Sequence, residues 1–177
     1  MLVNVKLSPT EVDKLLKTAI VCIDTREKEN KNSHITDYFD KKKIKYKKTK
    51  LDYGDYTLMI PAGEIYPKDI YLNNIVAIER KQNLSELANN FTQDRQRILL
   101  EFYRKKGKIF LMVENATYGD IDKKKYKSNL NPKSFKGMLK TLEPRFNLSI
   151  DFISQENAGD FIYTTLIYYA REILKTE

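Results

Sequence analysis

The segment IVAIERKQNLSELANNF (residues 75–91) joins an apolar strand to a helical pattern through three consecutive charged side chains. The run Ile75–Ile78 is typical of a buried strand, and Glu79, Arg80 and Lys81 end it. Because neighbouring side chains on a strand point to opposite faces, Glu79 and Lys81 are predicted to share one face, with Arg80 on the other. This carboxylate and ammonium are either a salt bridge that closes the strand or part of a functional site.

Strand and helix patterns alternate along the rest of the chain. Strands are predicted near residues 20–24, 44–51, 55–60, 75–81, 108–113 and 148–153. Helices are predicted near residues 9–19, 33–43, 84–107 and 158–174, and from residue 131. This order predicts an α/β protein whose sheet is covered by helices on both faces. No repeat and no linker rich in Pro, Gly or Ser interrupts the order, so residues 1–177 are predicted to be one domain with a core at about 20–155.

The composition excludes several kinds of protein. No stretch approaches 18 uninterrupted apolar residues, and the start MLVNVKLSPT lacks the pattern of a secretory signal, so we expect no membrane span and a cytoplasmic location. The single cysteine, Cys22, cannot form an internal disulfide and fits a reducing compartment. The single histidine, His34, leaves no material for a histidine-based metal site or a Ser-His-Asp triad.

The charge favours an anionic partner. The 32 Lys and Arg residues exceed the 24 Asp and Glu residues, which gives a net charge of +8. Much of the excess lies in DKKKIKYKKTK (40–50) and DKKKYK (122–127), where tyrosines are interleaved. Such segments suit the phosphate backbone of a nucleic acid, although lysine-rich stretches also occur as ordinary solvated surface. The candidate DNA contacts are Lys41, Lys42, Lys43, Lys45, Lys47, Lys48, Lys123, Lys124 and Lys125.

Acidic residues stand at the ends of three predicted strands. Asp24 follows the first, Asp55 begins another directly after Gly54, and Glu79 ends the strand quoted above. Carboxylates gathered in this way can hold Mg²⁺ through oxygen ligands. Lys81 beside them could orient an attacking water and stabilise the charge that develops on a phosphodiester during hydrolysis, with the metal activating that water. A structural salt bridge remains the alternative for Glu79 and Lys81 when these are considered alone.

Three motifs in order resemble one family. VCIDTRE (21–27), LDYGDYTL (51–58) and VAIERK (76–81) are similar to motifs of the XPF-type structure-specific endonucleases, and NPKSFKG (131–137) resembles a later helix of that family. The resemblance implies a restriction-endonuclease-like fold of the PD-(D/E)XK type, a mixed sheet flanked by helices. It also implies cleavage of DNA at branches, flaps or junctions with Mg²⁺ or Mn²⁺, in repair or recombination.

The resemblance also implies roles for individual residues. Asp55 and Glu79 would be metal ligands, Lys81 the catalytic lysine, and Asp24 a further catalytic and metal-binding acid. Supporting roles are implied for Arg26, Glu27, Arg80, Arg95 and Ser85. Arg95 interrupts the apolar face of the helix after Lys81, so we expect it to point inward, either toward a phosphate or into a buried ion pair.

Two features depart from the family pattern. Ser85 stands where the family has an aspartate; a serine can cap a helix but is a poorer metal ligand. The chain has only six glycines and ends after one further helix, so we expect no helix-hairpin-helix module. These features suggest a stand-alone bacterial or phage-like version at the nucleoid, acting as a homodimer or with a partner protein. The alternative function is a catalytically weak or inactive nuclease-fold module that binds DNA or recruits a partner.

Overall fold

The computed structural model describes residues 6–176 and contains a mixed sheet flanked by helices. The strands are β1 (Ile20–Asp24), β2 (Tyr46–Thr49), β3 (Tyr56–Ile60), β4 (Ile70–Tyr71), β5 (Val76–Lys81), β6 (Lys108–Glu114) and β7 (Leu148–Ile153). The helices are α1 (Pro9–Lys17), α2 (Glu29–Lys42), α3 (Leu84–Thr92), α4 (Arg95–Arg104), α5 (Tyr118–Asp122), α6 (Pro132–Phe146) and α7 (Ala158–Thr176), with a 3₁₀ turn at Gln155–Asn157.

The strand directions bring distant parts of the sequence to one edge of the sheet. The order is β2-β1-β3-β5-β6-β7, and β4 pairs with β3. Strand β3 is antiparallel to both β1 and β5, whereas β2 is parallel to β1 and β6 is parallel to both β5 and β7. The ends of β1, β5, β6 and β7 and the start of β3 therefore share one edge, called here the carboxyl edge. This arrangement confirms the predicted mixed α/β sheet.

Helices cover both faces of the sheet, as the sequence predicts. One core contains Val12, Ile35 and Leu166, contributed by α1, α2 and α7. The other core contains Leu87 from α3, together with residues of α4 and α6. Ile78 in β5 is fully buried. Burial of an aliphatic side chain stabilises the fold by about 1.5–3 kcal/mol, which explains why β5 is apolar before its charged end.

The turn at Gly54 fixes the start of β3. Gly54 has φ 72°, and a Cβ atom there would lie 2.8 Å from the Cβ of Ala77 and 3.2 Å from the carbonyl oxygen of Ile78. A side chain is thus disfavoured by the left-handed conformation and would collide with β5. The Asp55 N–H donates to the Ile78 carbonyl at 2.8 Å, so the turn holds Asp55 against β5.

The helical pattern of residues 84–107 corresponds to two helices rather than one. The N–H groups of Gln93 and Asp94 both donate to the Asn89 carbonyl, and the chain turns there before α4 begins. The expectation that Arg95 points inward is wrong, because Arg95 is exposed at the start of α4. Asn83, and not Ser85, caps α3, since its side chain accepts from the Glu86 N–H at 2.9 Å.

Other boundaries differ from the sequence prediction in smaller ways. Helix α2 begins at Glu29 rather than near residue 33, and the short elements β4 and α5 were not predicted. Among residues 6–176, no helix is long and apolar enough to cross a membrane. The expectation of no secretory signal concerns a stretch that includes residues 1–5, which lie outside the described residues.

Candidate active site

A cavity of about 560 Å³ opens at the carboxyl edge. Its sheet side is formed by Asp55 at the start of β3 and by Glu79 and Lys81 at the end of β5. The three residues that the sequence places at the centre of the site are therefore together. Strand alternation accounts for the arrangement within β5, because Glu79 and Lys81 lie two residues apart on one face.

Lys81 is paired with Glu79 inside this cavity. Its Nζ donates to Glu79 Oε1 at 2.6 Å, and the side chains are 9% and 13% exposed. Burial alone lowers the pKa of Lys81, but the negative charges of Glu79 and Asp55 and the hydrogen bond to Glu79 outweigh it. The net effect is to raise the pKa of Lys81 above its ordinary value, so its ammonium is charged at neutral pH.

Asp55 lies in a strongly perturbed environment. Its Oδ2 accepts a hydrogen bond from the Arg80 N–H at 2.7 Å. Burial raises the pKa of Asp55 well above its usual range, and the carboxylates of Glu79 and Glu27 raise it further. Lys81 and the Arg80 N–H act in the opposite direction but do not cancel these effects. The sheet side of the cavity thus holds more negative charge than its one lysine balances.

The structure distinguishes Asp24, which ends β1, from Glu27, which follows it. Glu27 lines the cavity, and burial, with Glu79 and Glu86, raises its pKa. Asp24 is fully buried outside the cavity, where its carboxylate accepts from the Arg26 N–H and Nε at 2.7 and 2.6 Å.

The Asp24 carboxylate also accepts from the Leu51 N–H at 2.7 Å. Although burial opposes it, these hydrogen bonds lower the pKa of Asp24. Its oxygens therefore hold Arg26 and the chain after β2, and it is Glu27 that the structure places beside Asp55.

Arg80 is engaged on the other face of β5. Its Nε and NH2 donate to the two carboxylate oxygens of Glu114 at 2.7 and 2.9 Å, and NH2 also donates to the Lys31 carbonyl at 2.8 Å. His34 Nε2 lies 3.0 Å from Glu114 Oε1, and Glu27 Oε1 lies 3.7 Å from Arg80 NH1. This network joins β5, β6 and α2, and Arg80, Glu27 and Lys31 within it also line the cavity.

Helices α3 and α4 contribute cavity residues that sequence reasoning missed. These are Glu86, Asn90, Arg97, Ile98, Glu101 and Arg104. Apart from Ile98, which adjoins Arg97, they are spaced by three or four residues on each helix, a usable signal only once the break between α3 and α4 is known. Asn90 is 6% exposed and its Oδ1 has no hydrogen-bond partner among the described residues, an unusual feature for a buried amide.

Two other predicted residues lie away from the cavity. Arg95 lines a separate groove between α4 and α6 that also contains Met138 and Arg145. Ser85 Oγ accepts from the Lys127 N–H at 2.9 Å and so anchors the second lysine-rich segment to α3.

The nine candidate lysines also lie outside the cavity lining. Lys48 pairs with Glu29 at 2.5 Å, and Lys125 pairs with Asp120 at 2.7 Å. Lys47 Nζ lies 3.0 Å from Met59 Sδ, so its side chain is held against the sheet. At least these three lysines are therefore engaged within the protein.

The chemistry of the cavity fits a divalent cation, although its present geometry is not a finished metal site. Among residues 6–176, no group of three or more His, Cys, Asp or Glu side chains is arranged to hold a metal ion. Asp55, Glu79 and Glu27 nevertheless offer the hard oxygen ligands that Mg²⁺ and Mn²⁺ take. Burial, together with repulsion between the carboxylates, raises the pKa values of Asp55 and Glu27, and a cation among them would stabilise their ionised forms.

Comparison with known families identifies the class of domain. A model of the ERCC4 domain matches residues 23–165, so the chain belongs to the ERCC4 domain family. Solved structures with a similar fold include XPF from Aeropyrum pernix, at 14% identity and a TM-score of 0.61, where the match covers 89% of this chain and 68% of that one. The XPF-type family and the restriction-endonuclease-like fold predicted from the sequence are thereby confirmed.

A second similar structure is XPF from Aeropyrum pernix in complex with DNA. Its identity is 15% and its TM-score 0.57, with 89% of this chain and 66% of that one covered. The chain thus spans about two thirds of either structure. A search of curated proteins found no significant match.

Proposed function

We propose that this chain is a metal-dependent DNA endonuclease that hydrolyses phosphodiester bonds at branched or flap structures. The observation that supports this most directly is the meeting of Asp55, Glu79 and Lys81 in one cavity at the carboxyl edge. Membership of the ERCC4 family and the similarity to XPF support the same reaction. A structural salt bridge alone would not explain why Asp55, Glu27 and a buried asparagine line the same cavity.

The residues of the cavity have separable tasks in this proposal. Asp55, Glu79 and Glu27 would supply the oxygens for Mg²⁺ or Mn²⁺, and the bound metal would lower the pKa of its water and polarise the scissile phosphate. Because the pKa of Lys81 is raised, Lys81 is a poor general base at neutral pH. Its ammonium instead stabilises negative charge that develops on the phosphate and orients the attacking water.

DNA as the substrate is supported by charge and by a structural relative. The net charge is +8, and XPF from Aeropyrum pernix has been solved in complex with DNA. We propose that the two lysine-rich segments bind the phosphate backbone. Replacing Lys41, Lys42 and Lys45 with glutamine should then weaken DNA binding and flatten its salt dependence, by about 0.9 in log–log slope for each phosphate that the variant no longer neutralises.

A nuclease-fold module without cleavage is the second candidate, and one observation favours it. Lys81 already donates to Glu79 at 2.6 Å, so the two side chains are paired without metal or substrate. In that case the chain would bind DNA or recruit a partner protein, or pair with a second copy, without cutting. A single measurement distinguishes the two candidate functions.

That measurement is a cleavage assay on flap, fork and four-way-junction DNA with Mg²⁺, Mn²⁺ or EDTA. The nuclease should cut at least one branched substrate with metal and none with EDTA. Asp55→Asn keeps an oxygen for the Arg80 N–H but removes the charge, and should abolish cutting. Asp37→Asn, at an exposed position of α2 outside the cavity lining, is the matched control and should retain most of it. Equal residual cleavage in wild type and Asp55→Asn would show that the assigned site is wrong.

A further inference from the structure

Helix α4 presents a stripe of charged side chains along the cavity. Arg97, Glu101 and Arg104 are separated by four and three residues, so they lie on one face of the helix, and all three line the cavity. Burial and the charge of Glu79 raise the pKa of Glu101, whereas Lys81 and Arg97 lower it. The centre of the stripe therefore lies close to the proposed reaction centre, with one arginine on either side.

The opposite wall of the cavity also carries cations. Lys28 lies just before α2 and Lys31 in its first turn, and both are exposed and line the cavity. The carboxylates of Asp55 and Glu79 belong to the sheet side of the same cavity. An acidic centre with cations on both walls suits an anionic chain that passes over it, because its phosphates would meet cations before and after the centre.

We propose that Arg97 and Arg104 bind the backbone phosphates on either side of the bond that is cut, with Lys28 and Lys31 facing them; this rests on the proposed nuclease function. Guanidinium groups match phosphate oxygens with two parallel hydrogen bonds. Arg104 has no carboxylate partner within residues 6–176. Arg97 has only a surface pair with Asp94 at 3.3 Å, in which the side chains are 65% and 48% exposed, and such pairs contribute little.

A matched pair of arginines makes this assignment testable. Arg95 and Arg145 are exposed like Arg97 and Arg104, and Arg95 lies on the same helix, but they line the separate groove between α4 and α6. Arg97→Ala/Arg104→Ala and Arg95→Ala/Arg145→Ala thus remove the same charge from two different surfaces. The affinity of each variant for a fluorescent flap DNA is measured at several salt concentrations, in EDTA so that no cutting occurs. Thermal unfolding verifies that each variant is folded.

The first variant should lose about tenfold or more in affinity and about 2 in the slope of log affinity against log salt. The second should change affinity by less than about threefold. Equal losses would mean that only net charge matters, and a greater loss in the second would place the strand in the other groove; either result overturns the proposal, as does failure of the wild-type chain to bind the flap.

This test also separates the arginine contacts from the nuclease function itself. If the wild-type chain cuts no substrate but the two variants still differ in binding as expected, the nuclease function fails while the arginine contacts stand. If the wild-type chain cuts but the two variants bind alike, the nuclease function stands while the arginine contacts fail.

Discussion

Arg80 and Lys81 are consecutive buried cations whose surroundings differ. Arg80 donates to both oxygens of Glu114 and to the Lys31 carbonyl, so most of its donors are used. The ammonium of Lys81 has three donors. Among the described residues it makes a single hydrogen bond, to Glu79. The strand thus points a satisfied cation toward one face and an incompletely satisfied cation toward the other.

The charges around the two cations differ in the same way. On the Arg80 face, the guanidinium and Glu114 neutralise each other, with His34 beside them. On the Lys81 face, Asp55 and Glu79 share one ammonium, and the pKa of Asp55 is raised as a result of burial and of the neighbouring carboxylates. Perturbed groups that the protein leaves unbalanced in a cavity are characteristic of functional sites. We infer that Arg80 stabilises the fold, whereas Lys81 serves the chemistry.

Removing Arg80 should therefore have the largest effect on stability. Arg80→Met leaves the buried carboxylate of Glu114 without its cation, which should lower the free energy of unfolding by about 3–5 kcal/mol. Urea denaturation measures this change, and the exposed Arg145→Met is the control, expected to stay within about 0.5 kcal/mol. The double variant Arg80→Met/Glu114→Leu should recover part of the loss. If it is as unstable as the single variant, the ion pair is not the cause.

Removing Lys81 should affect cutting more than stability. Lys81→Met takes away the cation proposed to stabilise the reacting phosphate, so the cleavage rate with Mg²⁺ should fall by about 10²–10³-fold. The free energy of unfolding should fall by only about 1 kcal/mol, because Glu79 faces the cavity and can reach water. Lys17→Met, at an exposed position of α1, is the control for the removal of a lysine. A loss of stability as large as that of Arg80→Met would abolish the distinction between the two cations.

Strand alternation made this distinction predictable from the sequence. The pattern VAIERK places residues 79 and 81 on one face and residue 80 on the other, and Gly54 before Asp55 indicates the turn that brings a second strand alongside. These are local features, which explains why the sheet, its two covering layers and the pairing of Glu79 with Lys81 could be anticipated. The bounds of β1, β3, β5 and β7 follow from the same runs of apolar residues.

The parts of the site that could not be predicted depend on distant contacts. Asp24 is held outside the cavity by Arg26 and by the Leu51 N–H, and Leu51 lies 27 positions along the chain. Arg97 and Arg104, and not Arg95, line the cavity because the helix breaks after Thr92 and α4 starts in a new orientation. Each residue of shift along a helix turns a side chain by about 100°. No pattern within α3 or α4 alone reveals that change of phase.

Asp55 offers a finer comparison, because it lies next to both cations. Asp55→Asn should raise the free energy of unfolding in EDTA at neutral pH by about 1 kcal/mol, since it removes a buried charge that lies beside other carboxylates. Because the pKa of Asp55 is higher in the folded state than in the unfolded state, ionisation of Asp55 destabilises the folded state at pH values above the ordinary carboxyl range. The gain should shrink as the pH falls and wild-type Asp55 takes up its proton. Parallel urea titrations at several pH values measure it, and a constant difference across pH would contradict this account.

Ser85 should show the smallest effect, because it belongs to neither network. Its hydroxyl accepts one hydrogen bond from the Lys127 N–H, and the cap of α3 is supplied by Asn83. Ser85→Ala should therefore lower the free energy of unfolding by about 0.5–1.5 kcal/mol and leave cleavage with Mg²⁺ within about threefold of wild type. Ser85→Gly is not an adequate substitute, since it adds backbone freedom inside a helix. A large loss of cutting in Ser85→Ala without a loss of stability would contradict this account. It would show that the Ser85 hydroxyl, or the lysine-rich segment that it anchors, contributes to cleavage together with Lys81.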